Sequence, residues 1–390
     1  AGFRILLSTK IKEFFTMINF RLLRNFDVAL FFITLIICVI GIVNLYSATI
    51  NIGTEVFKKQ ILWVSIGLFT TILLSLIDYR LLLRYASHFY IINILLLIVV
   101  LIVGREISGA KSWLSLGGII SVQPSELAKI SVILILAKFY HDDFSGGPFG
   151  VFDLVKPFAL FFIPILLIVI QPDMGTAFIV GLISISIILF AGVKTKHLIF
   201  LVIAGCVLFV PLWGHFLKDY QKDRIKSFMD PSQDPLGSGY HATQSKIAIG
   251  SGKLSGKGFM QGTQTQLRFL PEQHTDFAFS VIAEEWGFLG AFFTILLFFM
   301  LILWILDTSS RSKDKFSMYV CFGIASMFFW HTVINVGMVI GIFPVMGLPL
   351  LFISYGGSAT LTSLIAIGIV MGIRMRKFRV SERDLSFNKY

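Results

Sequence analysis

Residues 271–285 read Pro-Glu-Gln-His-Thr-Asp-Phe-Ala-Phe-Ser-Val-Ile-Ala-Glu-Glu, and they run straight into Trp-Gly-Phe-Leu-Gly-Ala-Phe-Phe-Thr-Ile-Leu-Leu-Phe-Phe-Met at 286–300. Four carboxylates and a histidine stand where a long polar segment turns into a run able to cross a hydrocarbon core of about 30 Å as a helix. Charge at the edge of a membrane is expensive to place and usually has a task. Similar apolar runs recur along the whole chain. They predict spans at about 27–48, 57–77, 82–103, 122–140, 154–170, 175–193, 197–214, 278–306, 317–341 and 350–373.

Composition agrees: of 390 residues, 56% are hydrophobic and only 14% charged, with a mean hydropathy of +0.85. A soluble domain would carry roughly 25% charged residues. The fold expected is all-α, a polytopic bundle of about ten transmembrane helices forming a single transmembrane domain over 1–390. The alternating pattern of a barrel is absent. The three cysteines, Cys38, Cys206 and Cys321, lie far apart in apolar segments and read as small core side chains. The first apolar run is too long and starts too late for a cleavable signal.

Lysine and arginine placement gives the expected topology. Arg4, Lys10, Lys12, Arg21 and Arg24 precede the first span, and Arg374, Arg376, Lys377, Arg379, Arg383 and Lys389 follow the last. Basic pairs such as Arg80 and Arg84, and Lys194 and Lys196, fall on the same side, whereas the opposite short connections hold only Lys58, Lys59, Arg105 and Lys111. Both termini (1–26 and 374–390) are therefore expected in the cytoplasm, and the loop 215–277 between spans seven and eight outside. The net charge of +11 is spent on these flanks, so no nucleic-acid partner is expected.

Sorted by side, the polar motifs gather on the outer face. They are Gly-Ala-Lys-Ser-Trp at 109–113, Gln-Pro-Asp-Met-Gly-Thr at 171–176, the large loop, Pro-Val-Met-Gly-Leu-Pro-Leu at 344–350 and Ser-Tyr-Gly-Gly-Ser at 354–358. Loops over a rigid bundle are where sites are built, although Gly and Pro also simply punctuate helix ends. Glu126 and Lys129 are three apart on one helix face; they read as a structural ion pair, as a cation offered to an anionic substrate, or as both. Asp276 reads either as an N-cap for the eighth span or as the head of a polar stripe continued by Ser280 and Glu284. His274 reads as an ordinary loop histidine or as part of that site. The glycine-rich run Ala248–Gly262, with Lys246, Lys253 and Lys257, lacks a Walker pattern, but a flexible basic loop can clamp a pyrophosphate.

Gln-Pro-Ser-Glu-Leu-Ala-Lys at 123–129, Gln-Pro-Asp-Met-Gly-Thr-Ala at 171–177, Leu-Pro-Glu-Gln-His-Thr-Asp-Phe at 270–277 and Ile-Ser-Tyr-Gly-Gly-Ser at 353–358 together resemble the SEDS (shape, elongation, division, sporulation) family. The resemblance runs in order over nearly the whole chain. Gly-Lys-Gly-Phe-Met-Gln-Gly-Thr-Gln-Thr-Gln at 256–266 and the motif at 344–350 place it nearer the rod-shape branch than the division branch. One departure is that Ser112, where many members carry arginine, precedes Trp113, leaving the charge on Lys111.

The resemblance implies peptidoglycan glycosyltransferase activity on lipid II at the outer face of the bacterial cytoplasmic membrane. The family's essential aspartate falls on Asp276, and its important glutamate and lysine on Glu126 and Lys129. An acceptor hydroxyl must lose a proton while the donor's lipid pyrophosphate departs. Asp276 is the expected general base, with Lys129 and Lys246 or Lys111 beside the pyrophosphates. Trp113, Asp173, His274, Glu284 and Ser354 are the remaining expected substrate contacts. No cofactor is evident; a divalent cation is a possible helper whose ligands the sequence leaves unknown. Partners implied are lipid II, the growing lipid-linked glycan, a class B penicillin-binding protein acting as transpeptidase, and other elongation-complex membrane proteins. Without the resemblance, intramembrane carboxylates and Gly/Pro breaks describe a lipid II flippase or another lipid-linked-precursor transporter equally well.

Overall fold

The computed structural model describes residues 24–51, 53–107, 110–116, 120–143, 150, 152–194, 196, 224, 227–230, 237–270 and 272–376, with the side chains at 106, 107, 110, 111, 116, 120, 152 and 238 left aside. Its helices are α1 (Val28–Thr49), α2 (Glu55–Leu76), α3 (Tyr79–Val103), α4 (Pro124–Asp142), α5 (Val155–Ile170), α6 (Met174–Phe190), α7 (Ser238–Ser251), α8 (Thr263–Gln266), α9 (Ala278–Ser310), α10 (Lys315–Ile340) and α11 (Gly357–Arg376). Six of these, α1, α2, α3, α9, α10 and α11, are long and apolar enough to cross a membrane, and α5 and α6 are shorter apolar helices. The expected seventh span, 197–214, lies outside the described residues, as do most of the first 26 residues and 377–390.

Two details depart from expectation. The bundle is all-helical as expected, but the connection between α3 and α4 is not plain loop: β1 (Arg105–Ile107), β2 (Ala110–Leu116) and β3 (Ile120–Val122) form a small antiparallel sheet in the order β1-β2-β3. In the sequence, β2 (Ala-Lys-Ser-Trp-Leu-Ser-Leu) is bounded by glycines at 109 and at 117 and 118, the punctuation of a short strand. The last helix begins at 357 rather than 350. Leu348, Leu350, Leu351, Phe352 and Ile353 are all buried, but they lie outside any helix, so an apolar loop folded into the core had the hydropathy of a helix.

Helices α4 and α10 form the centre. Pro124 opens α4 at a position where its missing N–H costs nothing. Nearly every side chain of α4 from Pro124 to Ala137 is buried, and α4 packs on α3, α5, α6, α10 and α11. It is buried although not apolar all round, since Ser125, Glu126, Lys129 and Ser131 go inside with it. By contrast, α3 exposes Ile91, Ile92, Leu95, Ile98, Val99, Ile102 and Val103, a face that suits lipid.

The longest helix, α9, is broken at Gly287, whose φ of 66° and ψ of −162° are nonhelical. The segment after α7 repairs the break. Lys257 N donates to Glu284 O (3.0 Å) and Gly258 N to Glu285 O (3.0 Å), while Phe288 N donates to Lys253 O (2.9 Å) and Leu289 N to Leu254 O (3.2 Å). In a membrane-spanning helix such freed groups must be satisfied by protein. A Cβ at Gly287 would lie 2.3 Å from Gly256 N. Gly287→Ala therefore combines this overlap with backbone strain of roughly 1–3 kcal/mol at an essentially glycine-only conformation. The expected result is a lowered thermal unfolding midpoint in detergent, with the segment 252–258 losing protection from hydrogen exchange.

Candidate active site

The chain enters α9 through a tight turn in which Thr275 N donates to Glu272 O at 3.1 Å. The residue capping α9 is Phe277, and no side chain hydrogen-bonds there, so Asp276 is not used as an N-cap. Asn335 of α10 holds its backbone instead. The Asn335 Nδ2 donates both to Asp276 O (2.9 Å) and to Leu348 O (2.7 Å). Tyr355 N donates to His274 O at 2.8 Å. A Cβ at Gly347 would stand 3.6 Å from Asp276 Oδ2. The start of α9, the end of α10 and the segment before α11 thus converge around one half-buried carboxyl group.

Near it lies a small open cleft lined by Arg224, Ser227, Lys246, Phe343 and Val345 among others. The Lys246 stem lies across Gly341, where a Cβ would fall 2.0 Å from Lys246 Cε. Gly341 also ends α10 in the left-handed region, φ 82°, so both the cap and the lysine's path call for glycine. Burial pushes the Asp276 carboxyl up from 3.8 to about 7; the Glu272 charge adds to the rise and Arg224 opposes it. A carboxyl group of that proton affinity, within electrostatic reach of Arg224, suits proton transfer.

The second constellation is internal. Lys129 is 1% exposed and Glu126 4%. Lys129 Nζ donates to Glu126 Oε2 at 2.8 Å and lies 3.0 Å from His331 Nε2 of α10. His331 Nδ1 stands 3.4 Å from Pro349 O. Both readings of the pair as structural and as functional survive, but Lys129 does not project freely into the cleft.

Other expected contacts are placed differently. Asp173 caps α6, accepting from Thr176 N at 3.2 Å, and its Oδ2 accepts from Gln123 Nε2 (2.8 Å) and Ser125 Oγ (3.0 Å), so it ties α6 to the start of α4. Ser354 is buried, and its hydroxyl accepts from Leu350 N at 2.9 Å, closing the loop before α11. Lys111 stands opposite Glu106 in the β1–β2 register and Trp113 opposite Arg105; Trp113 is half-buried, and the Lys111 side chain lies outside the described ones. His274 is half-buried, with its ring 6.3 Å from Tyr355.

Glu284 is the clearest correction. It is fully buried and does not continue a stripe from Asp276, because Asp276 precedes the helix. Its carboxylate accepts from Gln264 N (2.9 Å), Thr265 N (3.2 Å), Thr265 Oγ1 (2.9 Å) and Lys257 Nζ (2.8 Å). Lys257 of the glycine-rich run and the first turn of α8 just after it thus clamp an anion, and that anion is the protein's own.

Sequence reasoning missed Arg224, His331 and Asn335. Arg224 was one cation among many in a polar loop. The other two carried a signal, since polar residues four apart in an apolar span normally face a partner. Among the described residues no group of three His, Cys, Asp or Glu side chains is placed to hold a metal ion.

The fold and this site are those of a multi-pass membrane protein whose polar motifs close over one end of the bundle. The chain belongs to the FtsW/RodA/SpoVE (SEDS) family, described as cell cycle proteins, which it matches over residues 28–378. It is 38% identical to the peptidoglycan glycosyltransferase MrdB of Escherichia coli K12, covering 92% of this chain and 96% of that one. It is 32% identical to the peptidoglycan glycosyltransferase RodA of Treponema pallidum, covering 90% and 98%. Among solved structures, a chain from a peptidoglycan synthase complex, studied for the coordination of polymerization and crosslinking, superposes with a TM-score of 0.78 at 31% identity, covering 91% of this chain and 99% of that one. The rod-shape-determining protein RodA of Thermus thermophilus gives 0.68 at 28% identity, covering 90% and 98%.

Proposed function

We propose that this protein is a peptidoglycan glycosyltransferase that polymerises lipid II into glycan strands during cell elongation, with its site at the outer face of the cytoplasmic membrane. The observation that carries the reading is Asp276, a carboxyl group raised to about 7 near a cleft bearing Arg224 and Lys246. The names of the relatives support the reaction class. As general base, Asp276 takes the proton from the acceptor hydroxyl as its oxygen bonds to the donor's anomeric carbon. The bond from that carbon to the lipid pyrophosphate breaks, and the leaving group carries the electron pair away. Arg224 and Lys246 stabilise its charge. One displacement inverts an α-linked donor to a β-linked product without a second catalytic carboxylate. A class B penicillin-binding protein is the fitting partner, in keeping with the synthase complex among the similar structures.

The deciding experiment incubates purified protein with labelled lipid II, with and without a class B penicillin-binding protein, and resolves products by gel. Ladders of glycan polymer are expected. Vectorial movement of lipid II with no new glycosidic bond would replace this reading by the flippase.

A further inference from the structure

Two polar side chains of α10, His331 and Asn335, are buried to 1% and 0% exposure and stand four residues apart, one turn along the same helix face. Each reaches two other elements. His331 meets Lys129 Nζ of α4 at 3.0 Å through Nε2 and Pro349 O at 3.4 Å through Nδ1. Asn335 donates to Asp276 O and to Leu348 O. The carbonyls of adjacent residues 348 and 349 are thus gripped by side chains that also hold Lys129 on one side and Asp276 on the other. Gly347, next in the chain, is the residue standing against the Asp276 carboxyl.

Hydrogen-bond chemistry fixes what His331 does. The Lys129 ammonium has only donors, and one of them is given to Glu126 at 2.8 Å. Its contact with His331 Nε2 therefore requires that nitrogen to accept, which places the ring proton on Nδ1, facing the Pro349 carbonyl. A leucine or methionine of similar size would fill the space but accept nothing.

We propose that His331 is a positioning residue for glycosyl transfer, holding the Lys129 ammonium and the 347–349 segment in one register so that the Asp276 carboxyl, which Gly347 stands against, keeps its place, with Asn335 completing the grip one turn away. This rests on the glycosyltransferase reading of the Asp276 site. His331 acts through Lys129 and the loop, with no contact to substrate. Loss of such alignment lowers turnover more than substrate affinity, because the binding cleft lined by Arg224 and Lys246 is built from other side chains.

The test measures kcat and KM for labelled lipid II under whichever partner condition supports wild-type polymerisation. His331→Leu is expected to lower kcat by about 100-fold, the scale of a misplacement of about 1 Å, with KM changed less than about threefold. His331→Gln, whose amide oxygen can accept from Lys129 while its nitrogen donates to Pro349, is expected to return kcat to within about tenfold of wild type. His331→Asn keeps a donor near the Nδ1 position but no acceptor near Nε2. It carries the same expectation as His331→Leu should that variant not fold. Wild-type turnover in the Leu or Asn variant, or a Gln variant no better than they are, overturns the inference. An absence of polymer from the wild type overturns the glycosyltransferase reading and this inference with it.

Discussion

Asp276→Asn is expected to lower the polymerisation rate by ~10²–10⁴-fold, the range a positioned general base contributes, while lipid II still binds and the protein still folds. The substitution keeps shape and removes only the ability to take a proton. Folding should be little affected because Asp276 is fastened by its backbone carbonyl, through Asn335, and α9 does not depend on its side chain as a cap. The pH profile supplies a second signature. A base must be ionised to act, so the wild-type rate is small where the carboxyl is protonated, rises with pH, and reaches half its plateau near about 7. The sign of Glu272's influence is also determined: its negative charge raises the Asp276 pKa, so Glu272→Gln should move the rising limb to lower pH. A wild-type rate that is flat between pH 5.5 and 8.5, at unchanged protein stability, would remove Asp276 from the base role.

How far the sequence carried this site depends on which physical constraint acted at each residue. Six long apolar helices were readable because the thickness of a bilayer forces a length and a composition on each. Asp276 stood out in the sequence because a carboxylate at the edge of an apolar run is costly, and the family resemblance singled it out from its neighbours. The extension of its stripe to Glu284 failed because helical spacing was applied across a boundary: the helix begins at Ala278, and the two carboxylates face different elements. The break at Gly287 was hidden, since its hydrogen bonds are replaced by a segment some thirty residues earlier, a pairing no local pattern encodes. The Glu126–Lys129 pair was visible at its three-residue spacing, whereas its third member, His331, is 202 positions from Lys129. What sequence shows well is what a residue's own element demands of it. What it shows poorly is which distant side chain completes the chemistry.

That difference makes the Glu126–Lys129 pair the place where folding and function can be separated. Lys129→Met leaves Glu126 buried without its counter-charge, and breaking a buried pair from one side costs about 3–5 kcal/mol. The expected result is a marked fall in thermal midpoint together with loss of polymerisation. The double variant Glu126→Leu/Lys129→Met removes both charges and fills the space with apolar side chains of similar reach. Replacing a buried pair this way is often neutral or stabilising, because two desolvation penalties disappear with the attraction that offset them. Stability should therefore return toward wild type. Activity should not, because the hydrogen bond from Lys129 to His331, and with it the link from α4 to the 347–349 segment, is still missing. Thermal unfolding and polymer yield measured on the same three preparations decide between the two readings left open by the sequence. Recovery of both in the double variant makes the pair a device for burying charge. Recovery of stability alone makes Lys129 a working part of the site, reached through α10 from the far side of Asp276.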